Sequence, residues 1–127
     1  HGLGQVTFAE AGFILEQSPD TVVAPDVAFV QQDRMHLAPK GRGFFPARPD
    51  LIVEVISPTD EPLDIRRKQA LYERVGIPVV WWIDPERRTA TIHQPGQPVQ
   101  QLSDTDTLDG GEIVPGFSIP LAKLFDF

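Results

Sequence analysis

The sequence predicts an α/β (α+β) fold in which a helix follows a buried strand of a central sheet, with additional antiparallel strands beside it. Residues 51–56 form an apolar run interrupted only by Glu54, which is typical of a strand covered on both faces. A helical segment is predicted at 63–75, and a second buried strand at 79–83. A turn then leads into 89–93, so these last two strands should form an antiparallel hairpin.

Further strands are predicted before the central one. Short runs of alternating or apolar residues indicate strands at 5–9, 12–16 and 27–30. The segment 31–49 is rich in Gly, Pro and Arg and lacks periodicity, so we expect a long loop there, and loops of this length are often functional.

Local signals indicate the ends of the helix and the closing elements. The segment 57–60 (Ser-Pro-Thr-Asp) offers several N-cap candidates, and Pro62 suits a first helical turn. Gly76 is a typical residue just beyond a helix C-terminus. A short strand is expected at 99–102 and a helical turn at 121–125.

Size and composition limit the class of protein. The 127 residues suffice for one domain with a single core, and we expect 1–127 to be that domain. The net charge of −7 argues against a general nucleic-acid coat protein. The chain has no cysteine, which excludes thiolate metal sites and fits a reducing cytoplasm. Its longest apolar run, 77–83, is too short to span a membrane.

Glu54 is the residue that folding alone does not explain. Its neighbours on both sides are apolar, so its carboxylate cannot simply point at water. Glutamate is almost never fully buried unless it is paired, because removing its charge from water is strongly unfavourable. We therefore expect a metal ion, a lysine or both beside Glu54.

Lys68 is the lysine that the helix would supply. At 100° per residue it lies among the apolar residues Ile65, Leu71, Tyr72 and Val75, on the side that should face the sheet. A lysine whose stem covers apolar surface while its charge reaches water is the simpler interpretation of this position alone. The buried carboxylate on the preceding strand makes a pair between Lys68 and Glu54 the stronger hypothesis.

Two aspartates could join this pair. Asp26 and Asp50 each stand at the entry to a predicted strand, where a turn or capping role is the simpler explanation. Asp50 shares a strand face with Glu54 but lies roughly 13 Å away along the strand, too far for a shared metal. Asp26 comes from another strand, so it would lie beside Glu54 if the two strands pair.

Two carboxylates and a lysine are the groups that metal-assisted phosphodiester hydrolysis requires. Hard oxygen ligands such as Asp26 and Glu54 hold Mg²⁺ and leave positions open for water. The ion polarises a phosphoryl oxygen and activates water. Lys68 would orient or deprotonate that water, or stabilise the charge that develops on the phosphate.

Several motifs resemble, in order, the Uma-two family, bacterial proteins described as restriction endonucleases and long catalogued as a domain of unknown function. The resemblance covers most of the chain. The matching segments are Pro-Asp-Val-Ala-Phe-Val at 25–30, Pro-Asp-Leu-Ile-Val-Glu-Val-Ile-Ser-Pro at 49–58, the helical stretch 68–72 with Gly76, Val-Trp-Trp-Ile-Asp-Pro at 80–85, and Pro-Gly-Phe-Ser-Ile-Pro-Leu at 115–121.

The resemblance implies membership of the PD-(D/E)XK nuclease superfamily, with a restriction-endonuclease-like mixed sheet. Asp26 would be the motif aspartate and Glu54 the second acid. The superfamily's lysine two residues after the second acid is replaced here by Ile56, and Lys68 on the helix would take its role. In such nucleases the backbone carbonyl after the second acid often binds the metal, which here implies Val55. Mg²⁺ or Mn²⁺ is the expected cofactor.

The resemblance also implies that a segment found at the N-terminus of family members is missing here. Family members carry an N-terminal segment that includes a helix with an acidic residue near the site, and the present chain begins at His1, after that segment. We therefore expect an N-terminally shortened nuclease domain.

DNA is the expected partner, and basic residues near the site are candidates for contacting its backbone. They are Lys40 and Arg42 in the long loop and Arg66 and Arg67 on the helix, although each group is also compatible with an ordinary solvated surface. A homodimer would suit an enzyme that cuts both strands, but no segment of the sequence identifies an interface.

Three hypotheses follow. The first is a Mg²⁺-dependent endonuclease acting on DNA, with Asp26, Glu54 and Lys68 at its centre. The second is a nuclease-like module that binds DNA or protein without turnover, which the net charge of −7 and the shortened front favour. The third is a purely structural ion pair between Lys68 and Glu54.

Overall fold

The structure is a computed structural model that describes residues 4–8, 13–16, 21–23, 26–37 and 48–125. Within these ranges there are ten strands, one α-helix and two 3-10 helices. The strands are β1 (Gly4–Phe8), β2 (Phe13–Glu16), β3 (Thr21–Val23), β4 (Val27–Gln31), β5 (Leu51–Val55), β6 (Val79–Asp84), β7 (Thr89–His93), β8 (Gln100–Leu102), β9 (Thr107–Asp109) and β10 (Ser118–Pro120). The helix α1 spans Pro62–Arg74, and the 3-10 helices span Gln32–Leu37 and Leu121–Phe125.

Six strands form a mixed central sheet in the order β1-β4-β5-β6-β7-β8. The pair β5 and β6, connected through α1, is parallel, whereas every other neighbouring pair in this sheet is antiparallel. Two small antiparallel pairs, β2 with β3 and β9 with β10, lie outside it. The predicted fold class is therefore confirmed, including the helix after the strand that carries Glu54 and the hairpin of β6 and β7.

The sheet is buried on both faces, as the apolar runs of β5 and β6 predicted. On one face Tyr72 of α1 packs in a cluster with Ile52 and Trp82. On the other face Trp81 packs with residues of the C-terminal segment, including Leu121 and Phe125. Successive side chains of a strand point to opposite faces, so adjacent tryptophans contribute to different cores.

The C-terminus of α1 follows its predicted signal. Gly76 adopts a φ of +77°, which is favourable for a residue without Cβ. Its N–H bonds to the carbonyl of Glu73 at 3.1 Å, and the N–H of Ile77 bonds to the carbonyl of Tyr72 at 3.0 Å. These two bonds form a Schellman motif, which satisfies carbonyls that the end of the helix would otherwise leave unpaired.

The N-terminus of α1 differs from the prediction. The N-cap is Glu61, with no side-chain capping bond, and Pro62 occupies the first turn as expected. The side chain of Asp60, a predicted cap, instead accepts a hydrogen bond from the backbone N–H of Ser57 at 2.8 Å. Because this bond closes a separate turn before the helix, the 57–60 segment shapes the connection from β5 rather than capping α1.

The start of the predicted long loop is ordered by Asp50, which is only 4% exposed. One of its carboxylate oxygens accepts the backbone N–H of Gln31 at 2.7 Å. The other accepts Nη1 of Arg34 at 3.0 Å, with Arg48 Nη1 at 3.9 Å. These contacts tie the beginning of β5 to the end of β4 and to the first 3-10 helix, which the sequence had not indicated.

No helix in the described part of the chain is long and apolar enough to cross a membrane.

The Asp50 contacts predict a large asymmetry between two aspartate substitutions. Asp50→Ala should lower the free energy of unfolding by about 2–4 kcal/mol, because it leaves a backbone N–H and a partly buried guanidinium without their acceptor. Asp104→Ala, which removes an exposed bridge to Arg88, should lower it by at most about 1 kcal/mol. Urea unfolding measures both, and equal losses would contradict the role assigned to Asp50.

Candidate active site

A cavity of about 600 Å³ lies where the C-terminal end of β5 meets the first half of α1. Its lining carries five acidic and two basic side chains. They are Asp26, Glu54, Asp60, Glu61, Asp64, Arg67 and Lys68. Trp82 also lines it, and its indole N–H donates to Oε1 of Gln69 at 2.7 Å, which fixes this wall of the cavity.

Two hydrogen bonds join Asp26 to the end of β5, one to Glu54 and one to Val55. The backbone N–H of Asp26 donates to Oε1 of Glu54 at 3.0 Å, and the backbone N–H of Val55 donates to Oδ2 of Asp26 at 2.7 Å. The antiparallel pairing of Val27 with Val53 places Asp26 next to Glu54 at the end of the ladder. The predicted neighbourhood of these two acids thus arises from strand register.

Lys68 reaches Glu54 from the helix. Its Nζ lies 2.7 Å from Oε2 of Glu54, and this carboxylate is only 3% exposed. The Lys68 side chain is 44% exposed, so the same ammonium group also faces the cavity. The inward direction that the helical wheel indicated for Lys68 therefore agrees with the structure.

Tyr72 is a contact that sequence reasoning missed. Its side chain is completely buried, and its hydroxyl donates to Oε2 of Glu54 at 3.4 Å, a long hydrogen bond. Burial, followed by the negative charge of Glu54, raises the pKa of Tyr72 far above its ordinary value, so the phenol stays protonated and acts as a donor. The available signal was its position one helical turn after Lys68, on the same inward face.

The remaining predicted site residues are less closely grouped. Val55 lines the cavity with an exposed side chain. Arg67 also lines it and lies 3.9 Å from Asp64 in an exposed pair. Arg66 is exposed on α1, while Lys40 and Arg42 lie outside the described residues. Asp50 is held by Arg34 and Arg48 near the opposite end of β5 and does not line this cavity.

The possible metal ligands at this site fit Mg²⁺ better than a metal ion whose ligands all come from protein side chains. No group of three or more His, Cys, Asp or Glu side chains in the described ranges could hold a metal ion. Two carboxylates beside an open cavity do suit Mg²⁺, which usually keeps several waters and binds one or two carboxylates. Of the two oxygens of Asp26, Oδ2 accepts the backbone N–H of Val55, and Asp26 lines the open cavity.

Comparisons with known proteins identify the family and agree with the fold. The Uma2 family model, described as "Putative restriction endonuclease", matches residues 1–122. Four chains of solved structures match, among them a "putative nuclease belonging to DUF820" from Anabaena variabilis. That chain is 16% identical, with a TM-score of 0.77 over 98% of this chain and 69% of its own. At this identity the likeness shows the fold alone. No curated protein matches.

The geometry predicts that Lys68 stabilises the folded chain through Glu54. Lys68→Met should lower the free energy of unfolding by about 1–3 kcal/mol, because it leaves a buried carboxylate with fewer partners. Arg67→Met, a substitution of the neighbouring exposed cation, should change it by less than about 1 kcal/mol. Chemical denaturation of both variants measures the difference, and indistinguishable midpoints would contradict a stabilising pair.

Proposed function

The chain belongs to the Uma2 family, described as "Putative restriction endonuclease", and we propose that it is a Mg²⁺-dependent endonuclease that hydrolyses phosphodiester bonds of DNA. The observation that carries the proposal is the meeting of Asp26, Glu54 and Lys68 in one open cavity. These residues come from three separate elements, and such a combination of acids and an ammonium group is what hydrolysis of a phosphodiester requires.

Asp26 and Glu54 would hold the metal, together with the backbone carbonyl of Val55. Mg²⁺, or Mn²⁺ in its place, would supply polarisation of the phosphate and activation of the attacking water. The hydrogen bonds between the two strand ends fix the acids relative to each other. A preorganised pair of ligands is favourable because little reorganisation is needed when the substrate arrives.

Lys68 would act on the substrate from the helix side. As an ammonium group it would donate to the phosphate and stabilise the developing negative charge, and in its neutral form it would take a proton from the attacking water. Its half-exposed side chain at the cavity supports this role, since a fully enclosed lysine could not reach a substrate. Acting on the substrate requires Lys68 to give up part of its contact with Glu54.

DNA would approach a cavity whose own charge is unfavourable. Five acidic side chains face two basic ones, and both basic side chains are paired with acids. A divalent cation between Asp26 and Glu54 would offset this repulsion, and the exposed Arg66 and Arg67 would contact the DNA backbone. We therefore expect the metal to promote substrate binding as well as chemistry.

The same charge distribution favours a second candidate, a nuclease-like module that binds DNA or protein without turnover. A net charge of −7 and a cavity whose cations are already paired would suit a partner other than bare DNA. DNA binding that weakens with salt, without metal-dependent nicking by the intact protein, would favour this candidate.

Cleavage by a lysine variant tests the endonuclease. Lys68→Ala should reduce Mg²⁺-dependent nicking of supercoiled plasmid by about 10²–10⁴-fold, the usual contribution of an acid–base group. Lys123→Ala, a substitution of an exposed lysine on the second 3-10 helix, is the matched control and should cleave like the unaltered protein. EDTA should abolish cleavage by the unaltered protein and by Lys123→Ala. Undiminished nicking by folded Lys68→Ala would refute the assigned role.

Metal affinity can be tested without DNA. Asp26→Asn and Glu54→Gln should each raise the dissociation constant for Mn²⁺ by about tenfold or more, because each removes a charged ligand. Asp64→Asn changes an acid of the same cavity that pairs with Arg67, and it should leave the constant within about twofold. Isothermal titration calorimetry provides the comparison. Equal affinities for all four proteins would place the metal elsewhere.

A further inference from the structure

We propose that Tyr72 is a positioning residue that holds Glu54 in place when Lys68 leaves it to act on the substrate. The inference rests on the proposed function, because it assigns a role to Tyr72 within the same site. It starts from the observation that Lys68 and Tyr72 share one acceptor, Oε2 of Glu54.

The two contacts to this oxygen are unequal. The Nζ atom of Lys68 lies 2.7 Å away, a short distance typical of a charge-assisted bond. The hydroxyl of Tyr72 lies 3.4 Å away, beyond the usual 2.5–3.0 Å of an O–H···O bond. Lys68 therefore makes the main contact in this state, and Tyr72 stands within a few tenths of an ångström of making a full hydrogen bond.

The two donors also differ in their freedom to leave. Tyr72 is completely buried and carries its hydroxyl on a rigid ring, so the donor stays beside the carboxylate. Lys68 is 44% exposed at the cavity and has a flexible four-carbon stem. Of the two, Lys68 is the donor that can turn towards a substrate.

Departure of Lys68 would leave a buried carboxylate short of hydrogen bonds, which is unfavourable. The Oε1 atom of Glu54 keeps the backbone N–H of Asp26 in either state. Among the described residues Oε2 then keeps Tyr72 as its one donor, and the hydroxyl would close to normal hydrogen-bonding distance. No proton is transferred in this exchange, since the phenol keeps its hydrogen and only the partner of Oε2 changes. Glu54 remains directed at the metal position while Lys68 works elsewhere.

Placement on one helix supports the exchange. Lys68 and Tyr72 are four residues apart on α1, so they lie on the same face about one turn from each other. This spacing lets both reach the same carboxylate from adjacent levels of the helix. The handover therefore needs a rotamer change of Lys68 and a shift of a few tenths of an ångström between the side chains of Tyr72 and Glu54, without a displacement of α1.

A double-mutant cycle on stability tests the shared acceptor without metal or DNA. If each donor compensates for loss of the other, the double variant should be less stable than the single variants predict. Its unfolding equilibrium constant should rise by about ten times more than the product of the factors measured for Lys68→Met and Tyr72→Phe separately. Phenylalanine keeps the buried ring, so the variant retains its packing. Tyr72→Phe combined with Arg67→Met is the control and should be multiplicative within about twofold. A multiplicative result for the Lys68 cycle would overturn the handover.

Mn²⁺ binding tests the positioning role itself. Tyr72→Phe should raise the dissociation constant of the intact protein for Mn²⁺ about tenfold or more, as is usual when a partner of a metal ligand is removed. A merely structural tyrosine would lower stability without changing this constant. Unchanged affinity in folded Tyr72→Phe would overturn the inference alone. Absence of Mn²⁺ binding by the unaltered protein would overturn the proposed function, and this inference with it.

Discussion

The burial of the Glu54 carboxylate is the constraint on which the surrounding structure depends. A carboxylate at this depth is tolerated only when donors surround it, and two elements, α1 and the entry to β4, supply three of them. Strand β4 must pair with β5 in the register that brings the N–H of Asp26 to Oε1. Helix α1 must begin soon after β5 and face it with Lys68 and Tyr72 one turn apart. One side chain thus fixes a strand register and the rotation of a helix together.

The same arrangement explains why the cavity is acidic and yet suits a nuclease. Its two cations, Lys68 and Arg67, are paired with Glu54 and Asp64. Their positive charges are therefore already balanced by protein carboxylates and attract a phosphate only weakly. In the metal-free state a polyanion meets a surplus of carboxylates. Under the proposed function, a divalent ion at Asp26 and Glu54 would offset most of this excess negative charge. Metal binding and substrate binding would then strengthen each other by linkage, and without the metal the surplus of acid would disfavour DNA binding.

Patterns that repeat along the chain were predictable from the sequence, whereas contacts that depend on distant residues were not. The apolar runs of β5 and β6 and the helix between them gave the mixed sheet, and the mismatch of Glu54 with its strand pointed to Lys68. Tyr72 was missed because an aromatic residue on an inward face is fully explained by packing, and its hydroxyl becomes informative only beside Glu54. Strands β3, β9 and β10 have three residues each, too few for a period to show. The 3-10 helix after β4 was not predicted because the residue that holds it, Asp50, lies 16 positions after Arg34 in the sequence.

A buried carboxylate lies near each end of β5, Asp50 directly before the strand and Glu54 within it, and the two are paired with different cations. Two arginines hold Asp50, each through a planar guanidinium group that presents its donors in a fixed geometry. A lysine on a flexible stem holds Glu54. Replacing Lys68 by arginine would therefore make the two ends alike, preserving the charge balance of the buried acid while removing the flexible side chain that can turn from Glu54 towards the cavity. Under the proposed function, such a variant would keep the architecture and lose the reaction, so the structural and chemical roles of Lys68 would separate at this single position.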